Sequence, residues 1–468
     1  MATIRANTVE SPETPETPVT LRYMLPVISA STLGTAIEWF DFFFYGFLSV
    51  TVFPAVFFPQ LDPFAGIIAS FGTNFVGFVA RPLGGAFFGW FGDRIGRKAT
   101  LAATLLLMGI ATILIGILPG YASIGLAAPL LLSLLRFLQG IGLGGEWGGS
   151  VLLSLEYSDD RRRGFWTSWP QTGVAIGLGL SALSVLLFKS LFPGDAFESI
   201  GWRIPFLQSS VLVIVGLYIR LRILETPSFT KVKHEQHISK APLLDVFRYN
   251  WREILLCTLA RSGETASFYI FTSFVLTYAV QAVKMDLSAV YIGLAFSSLV
   301  GLALMPLFAL ISDHVGRKLW FTLGTILMAA FAFPYFLLMQ TKNPLLQLLA
   351  LIFSFGVCVS WLYGPEAALI SERFSTRLRY SGASLGYQLA SITAGGPAPI
   401  VATYLLANSK SLGGGFAAAA PPYTLIALYI ILISTISLVA VQFLKEYTGK
   451  PVATDGAYDI QHEAQSSR

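Results

Sequence analysis

The chain has 468 residues, 54% hydrophobic and only 12% charged. Soluble domains average about 25% charged residues, so a soluble globular protein is excluded and an integral membrane protein is expected. The net charge of +5 is assigned to loops facing anionic lipid, not to a nucleic-acid partner.

In chain order, residues 1–24 read as a disordered polar tail with the Pro-rich run Ser11-Pro-Glu-Thr-Pro-Glu-Thr-Pro18. The tail lacks the charged start and short apolar core of a cleaved signal, so the first span is expected to act as an uncleaved insertion signal. A helix needs about 20 apolar residues to cross a bilayer. Twelve runs qualify: 25–53, 64–91, 99–119, 127–154, 164–188, 202–222, 252–282, 288–311, 317–340, 344–370, 380–407 and 420–443. Lipid offers the backbone no hydrogen-bond partner, so these runs are predicted to be helices.

Two landmarks recur at about half the chain length. Gly89-Trp-Phe-Gly-Asp-Arg-Ile-Gly-Arg-Lys98 returns as Ser312-Asp-His-Val-Gly-Arg-Lys318, and Glu156 with Arg161, Arg163 and Gly164 is echoed by Glu372 with Arg377, Arg379 and Gly382. Such a period marks a duplication. The expected fold is therefore all-α, with twelve transmembrane helices in two six-helix bundles, 25–222 and 252–444. A linker, 223–251, joins them, with a short amphipathic helix expected around Pro242–Arg252, and a tail, 445–468, follows. If both termini and the even-numbered connections share one side, that side holds 23 of the 31 basic residues. The positive-inside rule then places both termini in the cytoplasm.

The two cysteines, Cys257 and Cys358, lie in apolar runs, and the four histidines form no ligand spacing. No metal and no cofactor is expected, the proton serving as coupling ion. There is no nucleophile–base set, so an enzyme is not expected. Gly140–Gly149 is Gly-rich but lies within helix four, where glycine serves close helix packing rather than a phosphate loop. Pro and Gly interrupt helix five at Trp169-Pro-Gln-Thr-Gly173 and helix eleven at Gly395-Gly-Pro-Ala-Pro399; curvature and a hinge both fit.

With these residues in view, the chain resembles the major facilitator superfamily over about residues 25–445. Gly89–Lys98 is similar to the signature loop between helices two and three, and Arg136-Phe-Leu-Gln-Gly140 to the helix-four signature. Several motifs resemble its metabolite:proton symporters, which include shikimate, α-ketoglutarate, citrate and proline/betaine permeases. They are Glu38-Trp-Phe-Asp-Phe-Phe-Phe-Tyr-Gly46, Ala80-Arg-Pro-Leu-Gly84, Gly144-Gly-Glu-Trp-Gly-Gly149, Gly201-Trp-Arg-Ile-Pro-Phe206 and Arg379-Tyr-Ser-Gly-Ala-Ser-Leu-Gly-Tyr-Gln388. The resemblance implies two bundles rocking about a central site, in a bacterial inner membrane. It also implies gating at Gly89, Asp93, Arg94, Gly96 and Arg97, with Asp93 facing a helix N-terminus of the other bundle. The second loop supplies Asp313 and Arg317. Ser312 and His314 replace the signature's Gly and Arg there, and the expectation is a weaker gate.

Charges inside spans are costly and default to function. They are Glu38, Asp41, Arg81, Arg136, Glu146, Arg261, Glu264 and Glu366; Glu156 and Glu372, at helix ends, read as structural. At about 1.5 Å rise per residue, Asp41 and Arg136 reach similar depth and are expected to pair, with Asp41 carrying the proton and Glu38 and Glu146 as competing acids. Arg81 and Arg261 suit a carboxylate substrate. Arg261 can instead pair with Glu264, one turn on, and Arg81 with an acid such as Glu146. Tyr45, Trp147, Gln171, Tyr269, Tyr387 and Gln388 are polar-tipped residues placed to line a cavity. The expected function is import of a small organic acid (mono-, di- or tricarboxylate) by a proton-coupled symporter working as a monomer. A proline/betaine-type zwitterion carrier, or an exporter or exchanger, is the alternative. The short tail after Leu444 lacks heptads, which argues against osmosensing.

Overall fold

The computed structural model describes residues 21–95, 97–159, 161–222, 242–374, 379–412 and 420–450. Among these, twelve long helical segments follow one another. In the first half they are α1 (Leu21–Thr51), α2 (Pro63–Ile95), α3 (Arg97–Ile117), α4 (Ala127–Glu156), α5 (Arg163–Leu191) and α6 (Arg203–Arg222). In the second they are α7 (Arg248–Val283), α8 (Leu287–Val315), α9 (Arg317–Gln340), α10 (Pro344–Ser371), α11 (Arg379–Ala407) and α12 (Thr424–Phe443). Ten segments are long and apolar enough to cross a membrane. In α1 the apolar run is diluted by Glu38 and Asp41, and the described apolar stretch of α3 is short, Ala102–Ile117.

The helix leading into α7 begins at Pro242 and bends at Asn250, whose φ is −123°. The last third of the expected linker is therefore helix; residues 223–241 lie outside the described ones. Pro170 sits inside an unbroken α5. In α11 the Gly395–Pro399 region differs: a π-helical stretch, Ser391–Gly395, precedes a helix restarting at Pro397. Further π stretches occupy Ile270–Phe274 and Ala279–Val283 in α7 and Ile352–Val359 in α10. Such wide turns often mark functional positions in helices.

The Gly-rich segment of α4 acts in packing. A Cβ on Gly140 would stand 2.1 Å from the Gly77 carbonyl oxygen, and one on Gly144 1.8 Å from that of Arg81. These glycines let α4 lie directly on α2, which fixes Arg81 toward the interior. Between the halves, α5 runs along α8 and α2 along α11. One aromatic-rich core runs through both halves. Leucines such as Leu134, Leu183 and Leu299 are exposed on the outer surface, as a lipid-facing belt requires.

Candidate functional site

The first polar cluster belongs to the first half. Asp41 on α1 and Arg136 on α4 are 3% and 2% exposed, and Arg136 Nη1 lies 3.8 Å from Asp41 Oδ2. An amide bridges that gap. Arg136 Nη1 donates to Gln139 Oε1 (2.7 Å), and Gln139 Nε2 donates to Asp41 Oδ2 (2.6 Å). Arg136 also donates to Asn74 (2.8 Å), and its guanidinium lies 3.6 Å over the Tyr45 ring. The Tyr45 hydroxyl bonds Thr73. Asp41 Oδ1 has no partner. Glu38 stands one turn before Asp41 on α1, and Glu146 lies further along α4; both are buried.

The second cluster belongs to the second half. Arg261 on α7 forms a direct ion pair with Glu366 on α10. Its guanidinium lies 3.5 Å over the Tyr387 ring and donates to Tyr387 O and Ser391 Oγ on α11, both at 3.1 Å. The Tyr363 and Tyr387 hydroxyls bond each other at 2.9 Å. Glu264 accepts from Thr265 at 2.9 Å.

Two aromatic layers join the halves around these clusters. In one, Trp39 packs 5.5 Å from Phe268, and Phe42 5.5 Å from Tyr269. In the other, nearer the basic loops, Trp147 stacks 3.8 Å from Tyr387. Trp147 Nε1 donates to Gln171 Oε1 (3.1 Å), and Gln171 Nε2 donates to Tyr363 O (3.3 Å). Arg81 lies inside the first layer, 4.5, 5.1 and 5.9 Å from the Phe78, Phe42 and Trp39 rings, beside Tyr269. Gln388 is buried with Oε1 unpartnered. On the side away from the basic loops, a cavity of about 240 Å³ opens between the halves, lined by Thr51, Lys189, Glu198, Leu287 and Tyr291 among others.

The halves also meet at the basic face. Asp313, at the end of α8, accepts from the Gly164 and Phe165 backbone N–H groups (2.9 Å each) at the start of α5. A carboxylate is favoured there by the helix dipole and the free N–H groups. A Cβ on Gly164 would come within 2.7 Å of Asp313 Oδ1, so glycine permits the approach. Arg317 binds Asp313 (2.7 Å) and Glu372 (3.1 Å), and Arg163 lies 3.8 Å from Glu372. The segment after α12 covers this cluster: Lys450 O accepts from Arg163, and Thr448 Oγ1 from Arg317. Burial lifts Glu372 to about 7, against the pull of Arg317 and Arg163.

These contacts revise several expectations. Arg261 pairs with Glu366, not with Glu264, because its guanidinium extends across to α10 and α11 instead of along its own helix. Arg81 lies against aromatic rings, not in an ion pair with Glu146. In the second signature loop, Asp313 accepts from Gly164 and Phe165, and Arg317 pairs with Asp313 and Glu372. The Ser312 hydroxyl and the His314 ring instead bond their own helix at Ala309 O and Leu310 O, away from the charge cluster. For the first loop, Gly96 and the side chains of Asp93, Arg94 and Arg97 lie outside the described residues, as does residue detail at Gly89. Gln139, Asn74 and Tyr363, which carry no charge to mark them in the sequence, join these clusters. For Gln139 a signal exists, since it stands three residues after Arg136 on the same helix face. Glu366 carries one too, as a carboxylate inside a span, but its partner comes from a helix about a hundred positions away.

The sequence profile of the Major Facilitator Superfamily matches residues 39–399. The chain is 42% identical to the inner membrane metabolite transport protein YhjE of Escherichia coli K12, covering 86% of this chain and 93% of that one. It is 38% identical to the shikimate transporter of the same organism (80% and 86% covered) and 33% identical to a proline/betaine transporter of Salmonella typhimurium (93% and 86%). A solved structure of the proton:xylose symporter XylE superposes with a TM-score of 0.69 at 17% identity, covering 92% of this chain and 98% of that one. Twelve helices in two joined halves, polar clusters buried at mid-span and this profile identify the chain as a multi-pass membrane transporter of the major facilitator superfamily.

Proposed function

We propose that the protein imports a small carboxylate together with protons by alternating access, and that Asp41 carries a coupling proton. The observation that carries this reading is the geometry of Asp41. It is buried, held to Arg136 only through the Gln139 amide, and one of its oxygens has no partner. A carboxylate neutralised at that distance takes up a proton when Arg136 is drawn toward an incoming anion, and loses it when the pair closes again. Asp41 Oδ1 supplies the site for that proton.

Arg81 is the anchor for the substrate carboxylate. It pairs with no carboxylate among the described residues, and its Nε has no partner. Buried guanidinium groups of this kind bind carboxylates bidentately. Tyr269 shares that layer, and Trp147 and Gln171 stand in the layer nearer the basic loops. The basic face is cytoplasmic on the charge rule, and the cavity near Thr51 and Tyr291 lies on the entry side. The Asp313–Gly164 contact closes the cytoplasmic side until the halves rock.

Zwitterion transport is the second reading, because relatives of both kinds match. A quaternary ammonium would need an open aromatic cage, and the Trp39, Phe42 and Phe78 rings are covered by Arg81, which favours the acid. Gradient-driven uptake by purified protein in liposomes tests both. The expected result is protonophore-sensitive accumulation of an acid, lost in Asp41→Asn. Accumulation of proline or betaine alone would move the reading to an osmolyte carrier.

A further inference from the structure

Glu264 on α7 and Glu366 on α10 are 2% and 0% exposed, and their carboxyl groups lie within hydrogen-bond reach of each other. Arg261 occupies Glu366 Oε1, and Thr265 donates to Glu264 Oε2. That leaves Glu264 Oε1 and Glu366 Oε2 buried with no donor. One arginine thus serves two carboxyl groups, each with one orphaned oxygen. Two adjacent buried carboxylates do not both stay ionised. A single proton shared between the orphaned oxygens satisfies both and leaves one negative charge for Arg261. The other polar groups facing the pair are Tyr363 from α10, Tyr387 and Ser391 from α11 and Tyr269 from α7, with Arg81 of α2 beyond Tyr269. Apart from Arg261 and the more distant Arg81, they are neutral hydroxyls.

The pair also sits between the two inter-half layers. One turn beyond Glu264, Phe268 packs on Trp39 and, at 5.7 Å, on Phe43. On the other side, Tyr387, stacked on the Arg261 guanidinium, meets Trp147. Rocking the halves opens one layer while the other stays closed, so the pair meets water from one side at a time.

We propose that Glu264 and Glu366 hold a second transported proton, distinct from the one on Asp41; this rests on the proton-coupled reading above. In the step, an O–H bond forms at Glu264 Oε1 with a proton from outer water. The same bond breaks to cytoplasmic water after the halves rock, and no other bond changes.

The test is the slope of log accumulation against imposed pH gradient, with membrane potential clamped at zero, in proteoliposomes. The wild type is expected to give a slope of two and Glu264→Gln a slope of one, so that per pH unit the variant accumulates about tenfold less substrate. Glu264→Asp, which keeps a carboxyl group, is expected to restore the wild-type slope. A wild-type slope of one that is unchanged in Glu264→Gln would overturn the second proton while leaving the coupled reading standing. A wild-type slope of zero would overturn the coupled reading itself and this inference with it. Should Glu264→Gln not fold, infrared difference spectra of Asp41→Asn, in which the Asp41 carboxyl contributes no band, decide. A buried protonated-carboxyl band that disappears on alkalinisation supports an exchangeable proton. A band unchanged between acid and alkaline conditions would show a fixed one and overturn the proposal.

Discussion

Each half of the protein stacks an arginine on a tyrosine at mid-span: Arg136 over Tyr45, and Arg261 over Tyr387. They differ in how the arginine meets its acid. In the second half, Arg261 and Glu366 touch directly, and the guanidinium is further held by Tyr387 O and Ser391. In the first half, Arg136 and Asp41 stand 3.8 Å apart with Gln139 between them. A direct buried pair is costly to separate. A pair spaced by a neutral amide can lose or gain a proton without leaving either group bare. The contrast separates a cation held directly by Glu366 Oε1 from one spaced away from Asp41, the carboxyl proposed above to carry a coupling proton.

The sharpest way to break this contrast is Asp41→Asn. Gradient-driven accumulation should be abolished, at least tenfold below wild type, while substrate exchange across the membrane persists. Unimpaired accumulation would remove Asp41 from the coupling role. Next in size is the stability difference between the two arginines. Arg261→Gln leaves Glu366 buried beside Glu264 without its cation, and such a loss costs about 3–5 kcal/mol. Arg136→Gln costs less, about 1–3 kcal/mol, because Gln139 and Thr112 still donate to Asp41. Thermal unfolding in detergent should rank the variants in that order; the reverse order would contradict the comparison.

The same comparison shows what the sequence discloses. Helix positions follow from apolar length, because lipid leaves the backbone no other solution. The Asp41–Arg136 juxtaposition follows from depth along two helices of known direction. Depth does not reveal rotation about the helix axis. The spacing therefore offers Glu264, one turn from Arg261, as an alternative partner, whereas the structure pairs Arg261 with Glu366 on α10. Gln139 escaped notice for a related reason: an amide in a span carries no charge penalty to flag it. At the basic face, Ser312 and His314 looked like weakening departures from the signature, yet they point along their own helix while Asp313 makes the contact.

A third, smaller effect concerns that face. Asp313→Asn removes the charge from the two bonds to Gly164 and Phe165; a charged hydrogen bond contributes about 1.5–3 kcal/mol, so the closed state should weaken. Alkylation of Ser384→Cys, placed against Gly148 where the halves meet and made in a chain with Cys257 and Cys358 replaced, should speed up several-fold. No change would show that this contact does not hold the gate. The smallest expected effect is a pH dependence of the same gate. Glu372 is raised to about 7 when buried in the closed cluster and returns toward the ordinary glutamate value when open. The closed state therefore binds the proton more tightly, and lowering cytoplasmic pH through about 7 favours closure. Alkylation at position 384 should slow over that window, and Glu372→Gln should flatten the dependence.

The central claim, proton-driven import of a carboxylate, is tested most directly by uptake into proteoliposomes under an imposed inward proton gradient, with and without a protonophore. The panel should span mono-, di- and tricarboxylates, hydroxylated and aromatic ring acids, proline and betaine. The account predicts accumulation of at least one acid above its external concentration, collapsed by the protonophore and absent in Asp41→Asn. Counterflow without any gradient-driven accumulation would contradict it, and would make the protein a facilitator or exchanger in which Asp41 and Arg136 are a structural pair.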